Sequence, residues 1–260
     1  CGEMALPVLE EEAVVQTDEL VTLRLQEVME LLRRDLLFSS LVQWLKGEQN
    51  LLKAWFELSR YHYPFLDEHA VLRRIDGIAR DIWMELNPNL TVFEQVRVFN
   101  HIFYKKHGFR GAGTATPLAD HFMIHRVLAD GIGHSLSLGI LYMEIARRVD
   151  ISLSGVILPV HFVLAHMGEN RGASANSEGP EPLFYVDVSH GGRVFSTREI
   201  QTVLEAAQMP AKPQYFQPCT KTDLILNLLR TLAAAHQTEG NTRFSLGLEA
   251  LAGDLTQHSF

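Results

Sequence analysis

Near residue 150 the hydrophobic pattern of this chain changes its period, and few folds accommodate such a change. In "HSLSLGILYMEIARRV" the residues Leu138, Tyr142, Ile145 and Val149 fall on one helical stripe, with Gly139 and Ala146 leaving room for a close neighbour. Just beyond, "SGVILPVHFVLAH" and "LFYVDV" are rich in β-branched and aromatic residues and read as strands. A helix with an apolar stripe followed by short strands predicts an α+β fold, helix-rich, with a central helix packed on a small antiparallel sheet.

The rest of the chain is organised around that core. Residues 1–16 are acidic, contain Pro7 and lack a period, so a flexible tail is expected. Residues 17–130 read as helices. "LVTLRLQEVMELLRR" puts Leu20, Leu23, Val28, Leu31 and Leu32 near one face, and "NLLKAWFELSRYHYP" stops before Pro64. Thr91 and Glu94 form a capping box ahead of a helix that closes at Gly108. Residues 131–200 hold the helix–sheet core, with a second capping box at Ser196 and Glu199. Residues 201–260 contribute C-terminal helices expected to pack on the same domain. The polar segment from Gly168 to Pro182 is expected to be mobile. Trp44, Trp55 and Trp83 are expected in the core.

Composition excludes several function classes. The 260 residues are 47% apolar, enough for a sizeable core. Acidic residues outnumber basic ones 31 to 23, for a net charge of −8, and no basic run is available to neutralise phosphates; nucleic acid is not an expected partner. No uncharged apolar stretch reaches the ~18 residues of a membrane span. Cys1 and Cys219 make neither a disulfide framework nor a metal-ligand spacing. A cytoplasmic location is the default; Cys1 also admits a lipid-anchored bacterial lipoprotein beginning at that residue, or simply the start of a fragment. Oligomeric state is left open.

The residues able to do chemistry sit in the core. Alternation puts His161 and Val163 on one face of a strand, and Tyr185 and Asp187 on one face of the next. If those strands are neighbours, His161 and Asp187 meet across them. Ser135 stands at the helix start, where serine is a preferred cap. Together the three have the makings of a nucleophile, a base and its orienter. His121 and His125 are spaced like metal ligands, but the glutamate of a zinc-protease helix is missing, and they are read as solvated histidines. Neither a metal nor a cofactor is expected.

The motifs "HGFRG", "HSLSLGILYMEIARR", "GVILPVHF", "VDVSHGG" and "LILNLLRTL" resemble the SirB-type family of transglutaminase-like proteins, over most of the chain from about Asn50 to Leu251. The resemblance implies a papain-like core whose central helix carries the nucleophile and whose sheet carries the histidine and aspartate. In catalytic members a cysteine begins that helix. Counting back from Arg147 puts this position at Ser135, with His161 and Asp187 matching the other two, so the set is a degenerate triad. A helix N-terminus favours a thiolate but cannot ionise a serine hydroxyl. The expectation is therefore a non-catalytic module that binds a protein or peptide in the ancestral cleft. The alternative is a hydrolase or acyl transferase using Ser135, His161 and Asp187.

Overall fold

The computed structural model describes residues 2–113, 118–159, 161–167 and 182–258. Its helices are α1 (Gly2–Val15), α2 (Glu19–Lys46), α3 (Leu51–His62), α4 (Glu68–Trp83), α5 (Val92–Asn100), α6 (Ile124–Asp130), α7 (Ser135–Arg148), α8 (Thr197–Ala206), α9 (Lys221–Thr238) and α10 (Thr242–His258). The strands are β1 (Arg110–Gly111), β2 (Ile132–Gly133), β3 (Ser154–Ile157), β4 (Phe162–Met167), β5 (Pro182–Asp187) and β6 (Arg193–Phe195).

The chain divides into two compact units, Cys1–Leu66 with Leu229–Phe260, and Asp67–Leu228. This division differs from the sequence-based one, since residues 229–260 group with the opening helices. In the first unit α2 packs against α1, α3 and α10. Residues 2–15, expected as a flexible tail, form α1, and Glu10 pairs with Arg33 of α2 at 2.6 Å. The apolar stripe expected at the start of α2 is largely exposed, at Leu20, Leu23, Val28 and Leu31; its buried residues are Met29, Leu37, Leu41 and Trp44.

The second unit is built on β3, β4, β5 and β6, an antiparallel meander in chain order. Against it lies α7, whose residues from Leu136 to Ala146 are all buried. Gly139 makes that contact possible, because a Cβ there would overlap the ring of Phe162 on β4. On the other face, Val156, Leu158, Val163, Ala165 and Tyr185 cluster with Ile200 and Leu204 of α8. On the periphery of α7, Arg148 joins Glu144 (3.1 Å) to Asp76 of α4 (2.9 Å).

Two local readings are corrected. "SGVILPVHFVLAH" is a hairpin rather than one strand. Pro159 has no N–H to give the ladder, and the chain turns there, with the Leu158 N–H donating to the His161 carbonyl at 2.8 Å. Trp83 is 67% exposed, because the buried stripe of α4 runs through Val71, Ile75, Ile78 and Ile82 and position 83 is turned off it. The segment expected to be mobile, Gly168 to Pro182, lies outside the described residues except for its last.

Candidate functional site

The hairpin turn puts His161 immediately before β4, and the β4–β5 register pairs Leu164 with Val186. His161 and Asp187 are therefore diagonal neighbours on one face, and His161 Nε2 lies 2.9 Å from Asp187 Oδ1. Phe162 takes the opposite face, against α7. Burial opposes charge on Asp187, but hydrogen bonds and charge from His161, then His190, hold its carboxyl below the usual range. The Nδ1 of His161 has no hydrogen-bond partner among the described residues, the arrangement a general base needs when its other nitrogen is held by a carboxylate.

The loop after β5 contributes a third group. Asp187 Oδ1 accepts the backbone N–H of Ser189 (3.0 Å) and of His190 (3.2 Å), which folds the chain back and brings His190 Nδ1 to 2.8 Å from Asp187 Oδ2. This loop is pinned from the α5 side. Asn100 donates from Nδ2 to the Gly192 carbonyl (2.7 Å) while accepting from the Tyr142 hydroxyl (2.8 Å). The Tyr104 hydroxyl donates to the Val188 carbonyl at 2.9 Å; burial, then the charge of Asp187, raises its pKa so that it remains a donor. Gly192 sits at φ +70°, where a Cβ would collide with the Asn100 side chain. Tyr104 and Asn100 lie near the end of α5, which continues as a π-helix over His101–Lys106.

Ser135 does not join this set. It is the first residue of α7, but His134 is the cap, its Nδ1 accepting from the Leu136 N–H at 3.3 Å. No hydrogen bond connects Ser135 with His161 among the described residues. His134 is stacked on Phe122 (4.6 Å between centroids), and burial, then the charges of His161 and His121, lower its pKa to about 4. The buried Ser137 hydroxyl donates to the His121 and His134 carbonyls, at 2.6 and 3.1 Å. Cys219 supplies no thiolate: its Sγ contacts the Gly155 carbonyl at 3.1 Å, and burial, then Asp223, pushes its pKa up to about 12. The spaced pair His121 and His125 is half-buried, His121 Nδ1 accepting from the Leu118 N–H.

His161, Asp187 and His190 open onto a cavity of about 330 Å³. Leu158, Val163, Phe195, Ile200 and Leu204 give it an apolar lining, and the Arg193–Glu199 ion pair (3.2 Å) stands at it as well. Ser135 is not among the residues lining it.

Residues 69–230, more than half of the chain, match the family model of the transglutaminase-like superfamily. The chain belongs to the transglutaminase-like superfamily. Within it, the relatives support the SirB type. The chain is 24% identical to UPF0162 protein YchA of Escherichia coli (strain K12) over 193 residues, 73% of this chain and 66% of that protein. It is 29% identical to Protein SirB1 of Salmonella typhimurium over 108 residues, 42% of this chain and 39% of that one. A UPF0162 protein of Pseudomonas aeruginosa is 23% identical over 192 residues, covering 73% and 66%. The matched region thus spans just under two thirds of YchA. No solved structure matches. In this transglutaminase-like chain His161 and Asp187, the histidine and aspartate expected from the resemblance, are in contact.

Proposed function

We propose that this transglutaminase-like protein is a non-catalytic module that binds a peptide in the cavity beside His161 and Asp187. The observation that carries the reading is a base and orienter in hydrogen-bond contact with, among the described residues, no nucleophile bonded to them. The cavity suits a peptide. Its apolar lining can take a side chain, and His190, Arg193 and Glu199 offer hydrogen-bond and charge partners to the backbone and flanking residues. The runner-up, a hydrolase or acyl transferase using Ser135, His161 and Asp187, draws support from the Nδ1 of His161, which has no partner among the described residues. It requires Ser135 Oγ to come within hydrogen-bond reach of that nitrogen.

Random peptides displayed on phage, selected on the full chain and remeasured by fluorescence polarisation, test the binding reading. Val203 is exposed on α8 and lines the cavity. The Val203→Arg variant should bind the selected peptides about tenfold or more weakly, the scale of a disrupted hot spot. Equal affinity for both proteins, or no peptide enriched, would contradict it.

A further inference from the structure

We propose that His161, Asp187 and His190 form a binding site for a divalent d-block cation of the zinc class. Each residue offers one ligand atom, and the three atoms lie within 4.8 Å of one another. Two imidazole nitrogens and a carboxylate oxygen are a common donor set for zinc and its neighbours, and three protein ligands leave a coordination position open. The cavity of about 330 Å³ borders all three residues, so that position can be filled by water or by an anionic group of a bound molecule.

The arrangement is held rather than accidental. Asp187 Oδ1 is anchored by two backbone N–H donors, which leaves Oδ2 beside His190 Nδ1 as the oxygen turned to an ion. Asn100 and Tyr104 fix the loop that carries His190. The imidazole planes of His161 and His190 are inclined at 45° with centroids 5.7 Å apart, so they face Asp187 from different directions. Arg193, the one Arg or Lys among the described residues lining the cavity, is paired with Glu199. A cation binds the neutral form of each imidazole. In that form the tautomer that carries its proton on the nitrogen turned away from Asp187 presents a lone pair to the metal.

The proposal does not depend on the peptide reading, and its failure would leave that reading untouched. It is tested by titrating the full chain with Co²⁺ followed by visible absorption, then with Zn²⁺ by calorimetry. One equivalent should bind, with ligand-field bands and no thiolate charge-transfer band. His190 is an exposed loop residue whose replacement spares the core, with a side chain 71% accessible. The His190→Gln variant should bind Zn²⁺ about tenfold or more weakly, as Asp187→Asn should, whereas His121→Gln should bind as the parent does. Absence of a saturable one-equivalent site, a thiolate band, or unchanged affinity in His190→Gln would overturn the proposal.

Discussion

Single residues decide what chemistry this transglutaminase-like chain retains. Cys219 is the cysteine among the described residues, and burial, then Asp223, keeps its thiol protonated, with a pKa of about 12. In the folded chain at pH 8 it should alkylate with iodoacetamide about 100-fold or more slowly than in the unfolded chain, because only the thiolate reacts; similar rates, read by peptide mass spectrometry, would contradict its burial. The pairing of His161 with Asp187 was legible from strand alternation once the two strands were taken as neighbours. The cap of α7 was not. Serine ranks high as a cap, but His134 takes the position because its ring stacks on Phe122 and its Nδ1 can still accept the Leu136 N–H. His190 was missed as well. The signal was present in "VDVSHGG", where an aspartate able to accept the N–H groups two and three residues on, ahead of two glycines, favours a turn that returns position 190 to the carboxylate.

At the scale of elements, α7 is the centre of the second unit. Leu141 and Ile145 have no solvent exposure, so truncating either to alanine should cost about 2–5 kcal/mol in chemical denaturation, the range for large-to-small changes in a close-packed interior. A loss below about 0.5 kcal/mol for both would mean the helix is peripheral. Gly139→Ala should cost about 1–3 kcal/mol by overpacking against Phe162, and should also shift the ring resonances of the adjoining His161. Periodicity revealed α7, α3, α4 and both capping boxes, since those patterns are local. It did not reveal the β3–β4 hairpin, because an uninterrupted apolar run hides a turn and only Pro159 marks it. Nor did it place Trp83, whose position follows from one hundred degrees of helical rotation off the buried stripe.

At the scale of the whole molecule, acid should weaken both units through histidines buried in neutral form. In the first, burial and then the neighbouring charge of His236 lower the pKa of His62 to about 3; in the second, His134 is lowered to about 4. A folded-state pKa below the unfolded value of 6.5 means the unfolded chain takes the proton first. The contribution is therefore complete above about pH 6.5 and fades as pH falls toward the folded values. From His62 alone the loss between pH 7 and pH 5 is on the order of 1–2 kcal/mol. His62→Phe, which keeps a ring against His236 and Phe244, should flatten the pH dependence of thermal stability over that interval; an unchanged slope would show that His62 is protonated in the fold. The division into units was not legible, because helices distant in sequence, α2 and α10, pack together and nothing in either segment names its partner. No described helix is long and apolar enough to cross a membrane. Among the described residues no nucleophile is bonded to the His161–Asp187 pair. The most direct test of a non-catalytic site is the hydrolysis of p-nitrophenyl acetate and of a glutamine-amide peptide by the parent, His161→Ala and Ser135→Ala chains. All three should show the same background rate; saturable turnover by the parent that is lost in both variants would contradict a non-catalytic site.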